Sequence, residues 1–254
     1  MTASENTGGP ADAPPAATDA DENQETGNAG WRFVREVAIV LICALVLSVL
    51  VRTFLLQAFY VPSQSMENTL MPNDRILASK ITTELTGVHR GEVVVFKDPG
   101  GWLPKSDVAV GPLHKGLEFI GLLPSSSGDD LVKRVIGVAG DHVMCCDAQK
   151  RIVLNGVPLV EPYIKPGAGT DQQPFSITVP ANSIFVMGDN RSQSADSRFH
   201  LDENSGSVPV DNVVGRVVLK VWPFSAWGTV PIPETFDNPA LNNQAGATPS
   251  PSNS

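Results

Sequence analysis

A run of fifteen residues without a charged side chain, Val37 to Val51, constrains this chain more than any other feature. As a helix this run rises about 22 Å, which is short of the roughly 30 Å of a bilayer's hydrocarbon core. Both flanks can extend it, because Arg52 can snorkel towards the headgroups and aromatic side chains suit the interfaces. We therefore predict a single transmembrane anchor over residues 31–58. The flanking aromatic residues are Trp31, Phe59 and Tyr60.

Two other structures account for the same run: a buried core helix and a cleaved secretory signal. The anchor is favoured because no small-x-small cleavage pattern follows the run and a long acidic segment precedes it. Arg32 and Arg35 lie on its N-terminal side, which by the positive-inside rule keeps the N-terminus in the cytoplasm. We expect a single-pass cell-membrane protein whose residues from about 60 onward lie outside the cytoplasm.

Residues 1–30 form an acidic segment with six Asp or Glu residues and no Lys or Arg. Of the net charge of -9, six negative charges lie there, so the rest of the chain carries only -3. The segment has too little apolar area to offset chain entropy, and we predict that it is disordered. Residues 233–254 have a similar composition and are predicted to form a flexible tail. Because the remainder lacks a basic field, no nucleic-acid partner is expected.

Short β-rich segments separated by Gly, Pro, Asn and Asp follow the apolar run. Asn155-Gly156 lies between two apolar stretches and strongly indicates a tight hairpin. Long helical periodicity is absent beyond the apolar run. We predict a mainly β, antiparallel domain over residues 59–232. The predicted strands are DRILASK, GEVVVFK, LVKRVIGV, RIVL, FSITV, SIFVM and VVGRVVLKVW.

Residues 98–130 interrupt this pattern, and we call them the excursion. They are rich in Gly and Pro, yet too apolar for a free linker. A loop packed onto the body of the domain and a membrane-dipping or substrate-covering loop both fit this composition. The large apolar residues of the excursion are Trp102, Leu103, Leu117, Phe119, Ile120, Leu122 and Leu123.

The adjacent cysteines Cys145 and Cys146 lie in the sequence DHVMCCD. Together with Asp141 and His142 they invite a metal interpretation, but structural zinc sites usually show two separated ligand pairs, and a second pair is missing. We expect no metal and no cofactor. A bond between the two neighbours would close a strained ring, and the sequence leaves their redox state open.

Two residues are candidates for chemistry, Ser65 and Lys133. Ser65 alone is more typical of a turn or a helix N-cap than of a nucleophile. The four histidines are scattered, and the chain has no G-x-S-x-G elbow. In LVKRVIGV, alternation places Lys133 beside Leu131 and Val135 on one apolar face, with an arginine on the other. An edge strand facing solvent also explains this pattern. Only the lysine is a candidate base, because a desolvated amine can become neutral whereas arginine stays protonated.

Five motifs, in this order behind the apolar run, resemble bacterial type I signal peptidase, and the excursion is similar to insertions in actinobacterial members. The motifs are PSQSMENTL, NDRILASK, GEVVVFKDP, LVKRVIGVAGD and GDNRSQSADSR. The resemblance covers about residues 31–225. It implies an antiparallel, barrel-like β catalytic domain, of the fold shared with self-cleaving repressors, behind one N-terminal transmembrane helix.

The resemblance also implies roles for individual residues. Ser65 matches the nucleophile and Lys133 its general base. Ser63 matches the hydroxyl donor of an oxyanion hole that the backbone N–H of Ser65 completes. Ser194 matches the hydroxyl that orients the lysine amine. The remaining matched positions are supporting ones: Asp196 with Arg198, Arg134 with Asp189, and Met66.

This chain departs from the family's pattern at two places. Asn68 stands where many members have Pro, and Ser192-Gln193 stands where many have Asp-Asn. Neither departure touches the Ser/Lys pair. Both bear only on local loop geometry and substrate preference.

By the same resemblance we expect a membrane-anchored serine endopeptidase that removes signal peptides from exported preproteins after small-x-small motifs. The implied partners are secretory preproteins and membrane lipids, and the implied state is a monomer. Two alternatives remain. A self-cleaving repressor relative is expected to carry a DNA-binding module where this chain has the apolar run. A membrane-tethered β binding or scaffold module would use the same serine as a turn cap and leave the lysine in water.

Overall fold

The computed structural model describes residues 25–54, 56–103, 129–170 and 172–242. Most of the predicted acidic tail (residues 1–24), most of the excursion (104–128) and residues 243–254 lie outside the described part. The chain divides into two compact units, residues 1–47 and 48–254.

Helix α1, Glu25–Phe54, contains the apolar run. It begins inside the segment predicted to be disordered, because a helix nucleated in the apolar run can propagate towards the N-terminus at little cost. Its described side chains from Trp31 to Leu47 are exposed. Within the described part of the chain, no helix combines the length and the hydropathy needed to cross a membrane. The transmembrane anchor over residues 31–58 stays a prediction.

The rest of the described chain is mainly β. A second helix, α2, spans Lys80–Thr86. The strands are β1 Leu56–Tyr60, β2 Arg75–Ser79, β3 Val93–Lys97, β4 Asp130–Val138, β5 His142–Cys145, β6 Ile152–Leu154, β7 Val157–Pro158, β8 Phe175–Thr178, β9 Ser183–Met187, β10 Val208–Pro209, β11 Val213–Trp222 and β12 Gly228–Thr229.

The described strands form two antiparallel sheets. The larger has the order β1-β2-β11-β3-β4-β9-β10, with β12 against β11, and the smaller has the order β7-β6-β5-β8. All seven predicted strands are present, and the mainly β, antiparallel fold is confirmed. Strand β11 lies between β2 and β3, which are consecutive along the chain. The sheet is therefore not a simple series of hairpins.

Beyond these seven strands and β7, which completes the predicted hairpin, four strands of the described chain were not predicted: β1, β5, β10 and β12. Residues 56–58 were assigned to the anchor, but they pair with β2 in the register Leu56↔Ser79 to Tyr60↔Arg75. Phe59 is buried and Tyr60 is exposed, so β1 does alternate. Five residues that directly follow a continuous apolar helix are too few for this alternation to stand out in the sequence.

The predicted hairpin at Asn155-Gly156 is confirmed. Both residues have positive φ, 52° and 81°, as a tight two-residue turn requires. They connect β6 to β7, in the register Leu154↔Val157.

Residues 233–242 differ from the predicted flexible tail. They form two short 3₁₀ helices, Glu234–Asp237 and Pro239–Asn242. Phe236 and Leu241 are buried in the core cluster beside the smaller sheet. The Leu241 carbonyl also accepts a 2.7 Å hydrogen bond from Asn155 Nδ2. Two apolar side chains thus fix a segment whose overall composition is typical of a loose tail.

Candidate active site

Ser65 and Lys133, 68 positions apart in sequence, are brought into contact. Ser65 lies in the connection from β1 to β2, and Lys133 lies in β4. Lys133 Nζ donates a 2.7 Å hydrogen bond to Ser65 Oγ and a 3.1 Å hydrogen bond to the Val132 carbonyl. Both residues are buried, with exposed fractions of 5% for the serine and 3% for the lysine. The edge-strand alternative, with this lysine in solvent, is therefore wrong.

The Lys133 amine is easier to deprotonate than a lysine in water. Burial lowers its pKa to about 8, although the charges of Asp196 and Asp189 act in the opposite direction. Desolvation outweighs the two carboxylates because an ammonium ion in an apolar environment loses most of its hydration. Near neutral pH a useful fraction of the amine is free to accept a proton.

An apolar cavity of about 310 Å³ adjoins this pair. Alternation along β4 predicts Leu131 and Val135 beside the lysine. Leu131 does line the cavity, whereas Val135 does not and packs in the core cluster with Val94 and Val186, against which Leu131 also packs. Met66, predicted as a supporting residue, is 1% exposed and lines the cavity. The cavity walls are Phe59, Tyr60, Val61, Pro62, Ser63, Ser65, Met66, Leu103, Asp130, Leu131, Val132 and Lys133.

Ser63 lies beside the Ser65 hydroxyl. The two Oγ atoms are 3.2 Å apart, and Ser63 is an exposed residue of the cavity lining. The backbone N–H of Ser65 donates no hydrogen bond to any described residue, although the Ser65 carbonyl is bonded. A hydroxyl and an unpaired N–H therefore lie next to the same oxygen.

Asn190 ties the loop after β9 to the Ser65 loop, and the sequence analysis did not identify this role. Its backbone N–H donates a 3.0 Å hydrogen bond to the Ser65 carbonyl. Its side-chain amide donates to the Gln64 carbonyl at 3.1 Å and to Glu67 Oε2 at 3.1 Å. Asn190 is fully buried. The signal in the sequence was only its place inside GDNRSQSADSR.

Ser194 lies against the Ser65 backbone and does not bond to the lysine. A Cβ added at Gly188 would collide with both Ser194 Oγ and the Ser65 carbonyl oxygen, so these atoms lie close together. The Ser194 hydroxyl is buried and approaches the Asp196 carboxylate, which lowers the carboxyl pKa, but it is not aligned for a full hydrogen bond. Lys133 Nζ donates to Ser65 and Val132 instead.

Asp196 and Arg198 form a buried ion pair beside the site. Arg198 Nε and Nη2 donate to the two carboxylate oxygens at 2.8 and 2.9 Å, and the Gly188 N–H donates at 2.9 Å. Burial raises the pKa of Asp196, but the hydrogen bonds and the charge of Arg198 outweigh burial and bring this pKa below its ordinary value. Asp196 is therefore ionised at neutral pH, close to the lysine.

Arg134 and Asp189 form a second buried ion pair, between β4 and the loop after β9. Arg134 Nε and Nη2 donate to the carboxylate at 2.9 and 2.7 Å. The guanidinium also donates to the Gly91 carbonyl at 2.8 Å and lies 4.3 Å from the centre of the Tyr163 ring. This pair fixes the loop that carries Asn190 to the strand that carries the lysine.

The first departure from the family's pattern has a structural counterpart. Asn68 has a φ of 88°, a conformation that the proline ring does not permit. Its side-chain amide donates a 2.9 Å hydrogen bond to the Tyr163 carbonyl. The other departure, Ser192-Gln193, is exposed and lies in a short 3₁₀ helix. The backbone conformation at position 68 therefore excludes proline.

The four residues of the metal interpretation do not converge. The Asp141 carboxylate pairs with Arg90 at 2.5 Å and accepts a 2.9 Å hydrogen bond from Asn155 Nδ2. His142 Nε2 lies 3.0 Å from Ser176 Oγ. Cys145 and Cys146 are joined by a disulfide.

Comparisons with known proteins agree with the resemblance stated from the motifs. The signal peptidase, peptidase S26 family model matches residues 34–222. The probable signal peptidase I of Mycobacterium leprae is 36% identical over 233 residues, which cover 79% of this chain and 78% of that protein. Signal peptidase I of Mycobacterium tuberculosis H37Rv is 38% identical over 225 residues, which cover 78% and 75%.

A crystal structure of a signal peptidase I from Enterococcus faecalis V583 covers 51% of this chain and 95% of its own, at 25% identity. Its TM-score of 0.33 is too low to support the fold by itself. The family match and the two mycobacterial relatives are decisive, because each spans well over half of the sequence. The chain belongs to the signal peptidase family, peptidase S26.

Proposed function

We propose that this chain is a membrane-anchored serine endopeptidase that removes signal peptides from exported preproteins, with Ser65 as nucleophile and Lys133 as general base. One observation carries the proposal: a buried lysine amine, with its pKa lowered to about 8, lies 2.7 Å from a buried serine hydroxyl at the edge of an apolar cavity. A serine hydroxyl beside a neutral amine is an activated nucleophile.

In the first step Ser65 Oγ attacks the carbonyl carbon of the scissile peptide bond while Lys133 Nζ takes the hydroxyl proton. The resulting ammonium group returns this proton to the leaving amine, and an acyl-enzyme remains. A water molecule then gives a proton to the free amine and attacks the ester. The signal peptide is released with a new carboxyl group, and the ammonium group returns the proton to Ser65 Oγ, which restores both residues. The lysine alternates between base and acid, and no carboxylate is needed as a third catalytic residue.

The negative oxygen of the tetrahedral intermediate needs hydrogen-bond donors that are already in place. The unpaired N–H of Ser65 and the hydroxyl of Ser63, 3.2 Å from Ser65 Oγ, are the donors that we assign to it. Removing one such donor typically lowers turnover by about 10² to 10³. We therefore expect Ser63→Ala to be impaired but not inactive.

An extended preprotein segment has a strand edge available beside the catalytic pair. Strand β4 pairs with β3 from Asp130 to Arg134, but with β9 only from Arg134 onward. Within the described part of the chain, no strand pairs with the other edge of residues 131–133. The cavity separates this edge from residues 59–66. A substrate that adds as a strand places alternate side chains into the cavity, which favours small residues one and three positions before the cut.

Membrane anchoring is supported by the charge-free run from Val37 to Val51 and by its flanking arginines. Ser65 follows this run by only fourteen residues, so the catalytic pair would work close to the bilayer surface, where a membrane-held preprotein presents its cleavage site. The proposed partners are thus secretory preproteins and membrane lipids, and the proposed state is a monomer.

Cleavage of a synthetic preprotein with an Ala-x-Ala site, by the full chain in detergent micelles, tests the proposal. We expect cleavage after the second Ala, and none with Ser65→Ala or Lys133→Ala. Ser225→Ala replaces an exposed serine outside the cavity lining and serves as the matched control, with unchanged activity. A non-catalytic binding or scaffold module would leave the preprotein intact in every sample. Cleavage that survives in the Lys133→Ala variant would refute the assigned base.

A further inference from the structure

Leu103 enters the catalytic cavity from outside its two main walls. One wall is built from residues 59–66 and the other from residues 130–133, and both belong to the segments that carry Ser65 and Lys133. Leu103 is the one described residue of the cavity lining between Asp98 and Asp129, near the start of the excursion. Its side chain is half-buried. An apolar side chain at this position restricts the space that a substrate side chain can occupy.

The backbone around Leu103 is held by the Asp98 carboxylate. Oδ1 accepts hydrogen bonds from the N–H groups of Gly100 and Trp102 at 3.0 and 3.1 Å, and Oδ2 accepts one from Leu103 N–H at 3.1 Å. Burial raises the pKa of Asp98, but these backbone donors outweigh it and bring the pKa below its ordinary value. The carboxylate is therefore charged and bonded at neutral pH.

Trp102 anchors the same turn to the core. It is 8% exposed, packs edge-on against Phe96 with ring centres 5.9 Å apart, and stacks on His200 at 4.4 Å. The Asp98 N–H donates a 2.9 Å hydrogen bond to the Asp129 carbonyl, which closes the base of the excursion next to the start of β4. Leu103 is thus positioned by a turn that is bonded to Asp98 and packed into the core through Trp102.

From this arrangement we propose that Leu103 is a specificity-determining residue, which sets the size limit of the subsite for a small apolar substrate side chain. The inference rests on the proposed function and adds a residue that neither the motifs nor the paired strands supply. An apolar subsite discriminates between side chains that differ by a methyl or methylene group by roughly 10- to 200-fold. Truncating Leu103 removes part of the wall that produces this discrimination.

The test uses the full chain in detergent micelles and two series of synthetic preproteins. One series carries Ala, Val or Leu one position before the cut, and the other carries them three positions before it. For Leu103→Ala we expect the ratio of kcat/KM for Ala over Val to fall about 10-fold in one series. For Leu103→Phe the same ratio should rise.

Two further variants separate this role from a general structural one. Asp98→Ala removes the acceptor that holds the turn and should lower the Ala-to-Val ratio in the same series as Leu103→Ala. Leu85→Ala truncates a leucine that is 79% exposed on α2 and lies outside the cavity lining, so its ratios should equal those of the wild type.

The two ways in which this experiment can fail are distinguishable. If the wild type cuts the Ala series in a Ser65-dependent way but both Leu103 variants keep the wild-type ratios, the inference is overturned and the proposed function stands. If the wild type does not cut at all, the proposed function fails and this inference fails with it.

Discussion

Replacing Lys133 with Met should abolish catalysis and stabilise the folded protein. A pKa difference of one corresponds to about 1.4 kcal/mol between the two protonation states. Holding this lysine at a pKa of about 8 instead of 10.5 therefore destabilises the folded state by about 3 kcal/mol at neutral pH. Methionine fills similar space without this penalty. It loses the hydrogen bonds to Ser65 and Val132, each worth about 1 kcal/mol.

The sign of the pH dependence follows from the direction of the pKa change. Because the folded state holds the amine at a lower pKa than the unfolded state does, the penalty is fully present below about pH 8. It is relieved as the pH rises from about 8 to 10.5, where the unfolded chain loses the same proton. The Lys133→Met variant should be more stable than the wild type by about 1 to 2 kcal/mol at pH 7. This advantage should shrink by about 2 kcal/mol by pH 10.

Urea unfolding of the full chain in detergent micelles, followed by tryptophan fluorescence, measures this difference. Lys97→Met is the matched control, because Lys97 is exposed at the end of β3 and its replacement should change stability little at either pH. If the Lys133→Met variant is less stable than the wild type at pH 7, with a difference that does not vary up to pH 10, the desolvation argument is refuted.

Three other predictions concern neighbours of the catalytic pair. The kcat/KM of the wild type should rise with pH to a plateau, with an apparent pKa of about 8. Asp196→Asn should move this rise to lower pH, because it removes a negative charge that raises the pKa of Lys133. A shift to higher pH would contradict this. Asp189→Ala leaves the buried guanidinium of Arg134 without its partner and should lower the free energy of unfolding by about 3 to 5 kcal/mol in urea titrations. A loss as small as that of a surface substitution would show that this ion pair contributes little to stability. Gly188→Ala places a methyl group against the Ser65 carbonyl and should strongly reduce preprotein cleavage. Gly228→Ala, at a position with open space around it, should leave cleavage unchanged. Equal activity of the two variants would exclude this packing constraint.

Local patterns predicted the strands well because short β-rich segments were separated by clear turn residues. The hairpin at Asn155-Gly156 is an example, since its positive φ values are a property of those two residues themselves. Strand β1 was missed because it directly follows a continuous apolar helix. Residues 233–242 were misassigned because two buried side chains, Phe236 and Leu241, outweigh a composition typical of tails.

The site was predicted less completely than the fold. The motifs pointed to Ser65 and Lys133. Alternation along β4 predicted Leu131, which lines the cavity, and Val135, which does not, but it could not indicate the second wall, which residues 59–66 form. Contacts between segments far apart in sequence decide which apolar groups line the cavity, and no pattern within one strand encodes them. The bridging role of Asn190 depends on a backbone contact with Ser65 across 125 positions, which is equally invisible in the sequence.

The place of β11 in the larger sheet has a consequence for biosynthesis. Strand β2, which follows the nucleophile, and strand β3, which pairs with the lysine strand, are joined in the sheet only through residues 213–222. A nascent chain that ends at residue 212 contains Ser65 and Lys133. It lacks β11, the strand that connects β2 to β3 in the larger sheet. A product truncated before Val213 would keep the loop contacts through Asp189 and Asn190 between the segments that carry these two residues but not this strand, and we expect the proposed catalytic pair to be inactive in it.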